Sequence, residues 1–312
     1  MNKLEDVSSE MRDLKKKFDK LIEPHRPALW QYCRMITRSP WDAEDLVQDT
    51  LLKAYSALPR IFQPVIPKSY LFRIATNTWL NLQRKQQRII LEEQTEESYE
   101  DVDPFSIREA IEKLVIYLSP KQRAVILLFD VFQFQGSEVA EMIGSTEGSV
   151  KALLHRARKK LKELGQEELP LPSPSSPKQE SVSANGPVIQ AYIDAFNRRD
   201  PDTIAGLLDE NAINDIVHTS FEYGKETIRN HSLEGWANDP MPMKAVYQQL
   251  WDKPAVVVMT KKDGKDAVYS LIELELDAGV IVNKRTYYFC PDLLEAAAEE
   301  LKVPVHKNGY IY

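Results

Sequence analysis

The sequence predicts a multidomain protein in which two all-α domains precede one α+β domain. Glycine is absent from residues 1–135, where apolar residues recur at spacings of three and four, the period of an amphipathic helix. After residue 187, two helical segments are followed by runs rich in β-branched and aromatic residues, with Asp-Gly and Ala-Gly turns between them. This order of helices and strands is typical of an α+β domain.

Two stretches of linker composition separate the three domains. Residues 89–107 contain seven acidic residues and no Lys or Arg, and a run of like charge repels itself. Residues 166–187 contain five prolines and five serines, a composition that opposes both helix and sheet. The predicted boundaries are therefore 18–88 and 108–165 for the helical domains, and 188–312 for the α+β domain.

The composition argues against a membrane, secreted or metal-dependent protein. No apolar run approaches the roughly 20 residues that span a bilayer, and the charged segment from Met1 to Lys20 lacks the apolar core of a secretion signal. Cys33 and Cys290 lie far apart, and the five histidines show no metal-ligand spacing. We therefore predict a cytoplasmic protein without membrane contact, structural metal or cofactor.

Charge is divided unevenly along the chain, whose net charge is -7. Residues 1–165 carry 26 Lys and Arg against 24 Asp and Glu, whereas residues 166–312 carry 14 against 23. The first part is therefore +2 and the second part -9. Because the first part sorts its charges into blocks, local basic surfaces are predicted there despite the acidic whole.

An acidic face is predicted on a helix that begins at Ser39-Pro40, where Ser39 can cap the first turn. The carboxylates Asp42, Asp45 and Asp49 recur there at spacings of three and four. The helix dipole favours acids in the first turn, but Asp49 lies a turn further in. The face therefore indicates a basic partner protein at least as well as it indicates a helix N-terminus.

The segment 67–88 predicts a helix with one basic side. Its inward-facing residues are Leu71, Ala75, Thr78 and Leu82. Its basic and amide side consists of Arg73, Asn77, Asn81, Arg84, Lys85 and Arg88. Because Tyr70, Phe72 and Trp79 are interleaved with these residues, one ligand is melted DNA, whose exposed bases stack on rings. The alternative places the rings in the core.

A helix-turn-helix is predicted between Phe134 and Leu164, in the sequence FQGSEVAEMIGSTEGSVKALLHRARKKLKEL. The first helix ends at Gly144, and Thr146 offers a capping hydroxyl to the second. The apolar face of the second helix consists of Val150, Leu154, Ala157, Leu161 and Leu164. The opposite face has no acidic residue between Lys151 and Lys162. Such a helix suits the DNA major groove; the alternative is a solvated Lys/Arg face.

Together these motifs resemble the sigma-70 family, extracytoplasmic-function type. The resemblance rests on DAEDLVQDTLLKAY, SYLFRIATNTWLN and LSPKQRAVILLFDVFQFQGSEVAEMIG with SVKALLHRARKKL, in that order, and covers about residues 18–162. Only regions 2 and 4 of the family are represented, joined by the acidic linker. The resemblance implies a sigma factor that directs core RNA polymerase to promoter DNA and initiates transcription.

The same resemblance implies roles for individual residues. Contacts with the polymerase β′ coiled coil are expected at Asp45, Leu46, Gln48 and Asp49, and contacts with the β flap at Leu127, Phe129 and Val131. The melted -10 element is expected at Arg73, Asn77, Asn81, Arg84, Lys85 and Arg88. The -35 major groove is expected at Thr146, Ser149, Lys151, His155, Arg156 and Lys159. The loop 60–69 would capture a flipped base, although its IFQPVIPKS sequence departs from common versions.

The third domain resembles a SnoaL-like domain of the ketosteroid-isomerase-like superfamily, on its opening VIQAYIDAFNRRDPDTIAGLLDENA. The resemblance implies an α+β cone around an apolar pocket. Candidate pocket residues are His218, Trp236, Tyr247, Trp251 and Tyr287. It also implies regulation of the sigma core through an intramolecular contact, since an acidic domain can shield basic DNA-binding faces.

Two other functions remain open from the sequence. The helix-turn-helix alone would suit an autonomous transcription regulator, which needs neither the acidic face nor the basic helix beside it. The last domain alone would suit an enzyme acting on a small molecule, with Asp215 or His218 as general base. We predict no catalytic residue, because a lone Asp and a lone His in sequence do not define a geometry.

Overall fold

The structure, a computed structural model, describes residues 3–61, 66–93, 117–164 and 186–307. These residues fall into two compact units, divided between positions 178 and 179. The division lies inside the second predicted linker, and both predicted helical domains belong to the first unit. None of the helices described has the length and apolar character needed to cross a bilayer.

The first helical domain consists of four α-helices. Their bounds are α1 Lys3–Ile22, α2 Arg26–Thr37, α3 Pro40–Ala57 and α4 Pro67–Glu93. Ser39 caps α3 as predicted, because its Oγ accepts a hydrogen bond from the Asp42 amide at 3.2 Å. The helices pack through large side chains that include Tyr32, Trp41 and Leu71, all buried.

Two details of α4 differ from the sequence-based expectation. Leu82 was expected to face inward, but it is 48% exposed, because it lines an open groove and is not part of the packed core. Phe72 and Trp79 are buried in the core, and Tyr70 is 9% exposed. The alternative that puts the rings in the core is therefore correct for Phe72 and Trp79, on which DNA bases cannot stack in this conformation.

In the second helical domain, the described residues 117–164 form three α-helices, α5 Pro120–Ile126, α6 Gly136–Met142 and α7 Glu147–Leu164, with a π-helical turn at Leu127–Val131. The predicted helix-turn-helix is formed by α6 and α7. Gly144 has a φ of +62° at the turn, a conformation that glycine adopts without strain. The Thr146 hydroxyl accepts from the Ser149 amide at 3.2 Å, which caps α7.

The described residues of the second unit, 186–307, form five α-helices and one mixed sheet. Its elements are α8 Gly186–Asn197, α9 Pro201–Gly206, β1 Leu208–Ile216, β2 Ser220–Tyr223, α10 Lys225–Ile228, α11 Glu234–Ala237, β3 Lys244–Leu250, β4 Lys253–Lys262, β5 Lys265–Asp277, β6 Val280–Thr286 and α12 Pro291–Leu301. The strand order is β2-β1-β6-β5-β4-β3, in which only β1 and β6 pair in parallel. The predicted α+β class is confirmed.

The predicted strands and turns of this unit correspond to β4, β5 and β6. Tight turns at Asp263-Gly264 and Ala278-Gly279 join them, with positive φ at all four residues, as expected for two-residue hairpin turns. The sheet packs on α8 through a core that includes Tyr192, Phe196, Val256 and Ile272. Strands β1 to β3 and helix α12 were not predicted.

Candidate nucleic-acid interface

A groove of about 570 Å³ runs along α4 beside α3. It is lined by Asp49, Lys53, Ala57, Tyr70, Arg73, Ile74, Asn77, Thr78, Asn81, Leu82 and Lys85. Four of the six residues expected at the -10 element line it. Arg84 lies beside it and donates from Nη1 to Asn81 Oδ1 at 2.9 Å, whereas the side chain of Arg88 is outside those that the structure describes.

The groove combines cations with amides over an apolar floor. The sequence has no Asp or Glu between Asp49 and Glu92, so the α4 side of the groove carries only positive charge. Ile74 and Leu82 supply the apolar floor, and the Asn77 side chain is exposed at its rim. Such a surface can hold phosphates by charge and base edges through amide groups.

Two buried side chains of α4 support this groove. Tyr70 Oη donates to the Ala54 carbonyl of α3 at 3.3 Å, and burial raises the pKa of Tyr70. Thr78 is also buried and accepts from Lys53 Nζ at 3.1 Å. These contacts fix α4 against α3, so that the lining residues from both helices keep their spacing.

The outer face of α7 is the second basic surface. Val150, Leu154 and Ala157 are buried and hold the helix in place. The residues expected at the -35 groove lie outside this core: Lys151, His155, Arg156, Lys159 and Thr146 are exposed, and Ser149 is half-buried. The Lys159 Nζ lies 3.7 Å from Glu163 Oε1, an exposed pair that contributes little rigidity.

The residues expected to contact polymerase are placed unequally. On α3, Asp49 is exposed and Asp45 and Gln48 are half-buried, but Leu46 is buried in the core. In the second helical domain, Val131 is 39% exposed, whereas Leu127 is fully buried. Phe129 lies under the Arg158 guanidinium, 5.7 Å from its ring centroid.

Arg158 is held over Phe129 by a two-point contact with Asp130. Its Nε and Nη2 donate to the two carboxylate oxygens at 3.1 and 2.5 Å, and this hydrogen bonding raises the pKa of Arg158. The Arg158 guanidinium is therefore bound to a carboxylate of its own domain. The other cations of α7 remain directed outward.

The five candidate pocket residues of the second unit lie in different surroundings. Trp236 packs on Phe196, with ring centroids 4.5 Å apart, while Tyr247 is 50% exposed on the edge strand β3. Tyr287 is buried, and its Oη donates to Glu273 at 2.8 Å. His218 and Trp251 are half-buried loop residues with positive φ.

The proposed general base Asp215 is bound by a cation. Arg285 Nε donates to Asp215 Oδ2 at 3.1 Å across the parallel pair of β1 and β6. The geometry therefore gives Asp215 a structural partner in place of a substrate.

A buried polar cluster in the second unit was missed from the sequence. Lys284 Nζ donates to Asn214 Oδ1 at 3.2 Å, and the Asn214 amide donates to Glu222 at 2.8 Å and to Ser232 at 3.0 Å. Burial lowers the pKa of Lys284 to about 8. Because Asn214 and Lys284 lie 70 positions apart and meet only through the β1–β6 pairing, no local pattern indicates this cluster.

Comparison with known proteins finds matches to both helical domains. The family model for sigma-70 region 2 matches residues 21–89, and the model for sigma-70 region 4 matches residues 108–161. A curated relative, the RNA polymerase sigma-E factor of Streptomyces avermitilis, is 30% identical over 150 residues, which cover 47% of this chain and 83% of that protein.

A longer match extends beyond these two regions. The ECF RNA polymerase sigma factor SigG of Mycobacterium tuberculosis is 33% identical over 244 residues, 68% of this chain but only 64% of that protein. A solved structure from Kribbella flavida, assigned as a ketosteroid isomerase, is 19% identical, with a TM-score of 0.27, and covers 33% of this chain and 75% of its own. On the regions matched, the chain belongs to the extracytoplasmic-function group of the sigma-70 family of RNA polymerase sigma factors.

Proposed function

We propose that the chain directs core RNA polymerase to promoters and initiates transcription there. The groove along α4 would hold the melted -10 element, and the outer face of α7 would enter the major groove at -35. The observation that carries the proposal is the pair of separate basic surfaces in one unit, one with amides over an apolar floor and one on a helix-turn-helix. An autonomous regulator needs only the second.

The acidic side of α3 would bind the polymerase. Asp45, Gln48 and Asp49 lie on its accessible side, whereas the buried Leu46 supports the helix. At the second expected polymerase contact, Val131 is the accessible residue and Leu127 belongs to the core. Binding through Leu127 would require the π-helical turn to open, so Val131 and Phe129 carry the proposed β-flap contact.

The second unit would act as a SnoaL-like regulatory domain. Its topology of helices packed on a mixed six-stranded sheet supports this assignment. The net charge of -9 on residues 166–312 favours a contact with basic surfaces of the sigma core over independent DNA binding. Such a contact would alter promoter binding by the sigma core.

Run-off transcription with core polymerase tests the proposal directly. The full chain should support promoter-specific transcripts. A double Arg84→Ala/Lys85→Ala variant should reduce them at least tenfold, because it removes Lys85 from the groove lining and Arg84 from beside it. A Lys15→Ala/Lys20→Ala variant, which removes two exposed cations from α1, serves as the matched control. Transcripts that do not depend on the chain, or equal loss in both variants, would refute the proposed function.

Truncation tests the regulatory part separately. A chain that ends at residue 185 lacks the second unit and should alter the amount of transcript from the same template. Equal transcript levels for the full and shortened chains, across conditions that change expression in the cell, would remove the regulatory role and leave the initiation function intact.

A further inference from the structure

The turn proposed to contact the β flap has a constrained backbone. Leu127–Val131 is a π-helical turn, in which the Phe132 amide donates to the Leu127 carbonyl at 2.9 Å. A π-helical turn holds one more residue than an α-helical turn and often marks a functional site. Gln133 follows with a φ of +58°, and its Nε2 donates to the Asp130 carbonyl at 2.7 Å. The backbone at Asp130 is therefore held by its neighbours on the C-terminal side.

The Asp130 carboxylate binds α7 through the side chain of Arg158. Both Asp130 oxygens accept hydrogen bonds from Arg158, at 3.1 Å from Nε and at 2.5 Å from Nη2. Asp130 is the only acidic residue between positions 113 and 137. Because a planar guanidinium matches a carboxylate at two points, this contact determines the relative orientation of the two groups as well as their distance. A lysine ammonium, as a point charge, determines only the distance.

The same guanidinium also lies over the ring of Phe129, 5.7 Å from the ring centroid. A cation above an aromatic face is attracted to it, and a flat guanidinium stacks there. Phe129 and Val131 are the two residues proposed to contact the β flap, and they flank Asp130 in the chain. Arg158 therefore contacts the turn at two adjacent residues within the proposed polymerase-binding surface.

Arg158 lies where the two faces of α7 meet. It follows Leu154, which is buried in the domain core, by four residues, and it precedes the exposed Lys159 by one. Residues four apart share one side of a helix, so Arg158 is at the border between the core and the proposed -35 face. One side chain thus joins the helix proposed to enter the major groove to the turn proposed to contact polymerase.

An apolar core holds α7 in its domain independently of this pair. Leu154 and Ala157 of α7 are buried, as are Leu127 and Leu128 of the turn. The side chains of Arg158 and Asp130 are 54% and 34% exposed, and exposed ion pairs contribute little to stability. Loss of the pair should therefore leave the domain folded and allow the turn to rotate relative to α7.

We propose that Arg158 is a positioning residue, which fixes the angle between α7 and the π-helical turn and so sets the spacing of -35 and -10 elements that the chain accepts. The inference rests on the proposed function, because this angle matters only if the turn binds polymerase and α7 binds duplex DNA. The turn would hold the domain at one place on polymerase, and Arg158 would hold α7 at one angle from that place.

The geometry of B-DNA gives the size of the displacement that α7 would have to follow. Successive phosphates of one strand are about 3.4 Å apart along the helix axis, and one turn takes about 10.5 base pairs. One extra base pair between the two elements therefore moves the -35 element by about 3.4 Å and rotates it by about 34°. An α7 helix held at a fixed angle should not follow this change.

Run-off transcription with core polymerase measures the spacing preference in the full chain. One promoter is tested at its natural spacing and with one base pair added or removed. The natural chain should favour the natural spacing, and Arg158→Gln should lower that preference by about 3- to 10-fold, within the range for lost coupling between neighbouring groups. Arg158→Lys keeps the charge but loses the two-point contact, and it should give the same loss, as should Asp130→Asn.

Arg156→Gln is the matched control, because Arg156 is an exposed cation of the same helix and is proposed to bind DNA. It should lower the transcripts from all three templates by one common factor and leave the preference unchanged. A common factor for Arg158→Gln as well would make Arg158 a phosphate contact, and unchanged transcripts would make it purely structural; either result would overturn the proposal. Absence of promoter-specific transcripts with the natural chain would instead refute the proposed function, so the two failures are distinguishable.

Discussion

The two units of the chain use their cations differently. In the first unit, Lys85 in the groove and Lys151 on α7 are exposed on continuous surfaces. In the second unit, Lys284 is buried on Asn214, and Arg285 binds Asp215. Arg199 donates to the carbonyls of Trp236 and Met241. A chain with a net negative charge can therefore bind nucleic acid. What its cations can bind depends on where they lie and not on the net charge.

The difference has a physical basis in desolvation. Burying a cation is costly unless a partner compensates it. The internal cations of the second unit therefore stabilise its fold and are not available to ligands. Exposed cations keep their hydration and exchange it for phosphates, with release of counterions. The comparison predicts that substitutions of exposed cations in the first unit change binding, whereas substitutions of internal cations in the second unit change stability.

The largest expected effect concerns polymerase binding by α3. Replacing Asp45 and Asp49 with Lys should weaken the affinity for core polymerase by about 10- to 100-fold, because the accessible acidic side is reversed. Asp49 is paired only loosely, its Oδ2 lying 3.6 Å from Lys53 Nζ, so folding should be retained. Glu10→Lys/Glu23→Lys is the matched control in a binding titration. Equal weakening in the control would show that general charge, not this side of α3, binds polymerase.

A smaller effect is expected for the -35 face. Replacing Lys151 and Lys159 with Ala should lower the salt slope of duplex promoter binding by about one unit for each lost phosphate contact. The measurement is the affinity of the polymerase complex for promoter duplex at several salt concentrations, with Lys121→Ala/Lys20→Ala as the control. An unchanged slope would mean that the two lysines are merely solvated.

The second unit should respond to pH through Lys284. Because its folded pKa of about 8 lies below the ordinary lysine value of 10.5, the folded state binds fewer protons between these values. The free energy of unfolding should therefore rise with pH in that window, on the order of 1 kcal/mol per pH unit, and the gain is absent below about pH 8. Denaturant titrations at pH 7.5 to 10 should show this rise in the natural chain and not in Lys284→Met. A rise that persists in Lys284→Met, with Lys265→Met as control, would assign it to other groups.

The smallest expected effect is local to the first unit. Ser39→Ala removes the cap of α3 and should reduce the free energy of unfolding of the first unit by about 1 kcal/mol. The transition of the second unit should stay in place. If thermal unfolding shows both transitions moving together, the two units are not independent in stability.

Local structure was predictable wherever neighbouring residues determine it. The Ser39 cap, the turn at Gly144 and the hairpin turn at Asp263 all follow from residues close in sequence. Leu82 was mispredicted because helical spacing shows which residues share one side of a helix. It does not show whether another helix covers that side at a given turn. Strands β1 to β3 lack the dense β-branched runs of β4, so their pairing, not their composition, makes them strands.

The contacts that join distant segments were not predictable. Nothing near Arg73 in sequence indicates Glu141, and nothing near Lys284 indicates Asn214, because each pair forms only through tertiary packing. The groove was predictable in part, since helical spacing put Arg73, Asn77, Asn81 and Lys85 on one side of α4. Its apolar floor and the contact of Arg73 with Glu141 required the structure.

Site-specific crosslinking in the polymerase–promoter complex tests the central claim most directly. A photoreactive residue at Asn81 should crosslink to a melted strand near -10, and one at Lys159 should crosslink to duplex near -35 on the same DNA molecule. Crosslinks from both positions to one duplex site, or no crosslink from Asn81 when Lys159 gives one, would contradict two separate basic surfaces with different forms of DNA as ligands.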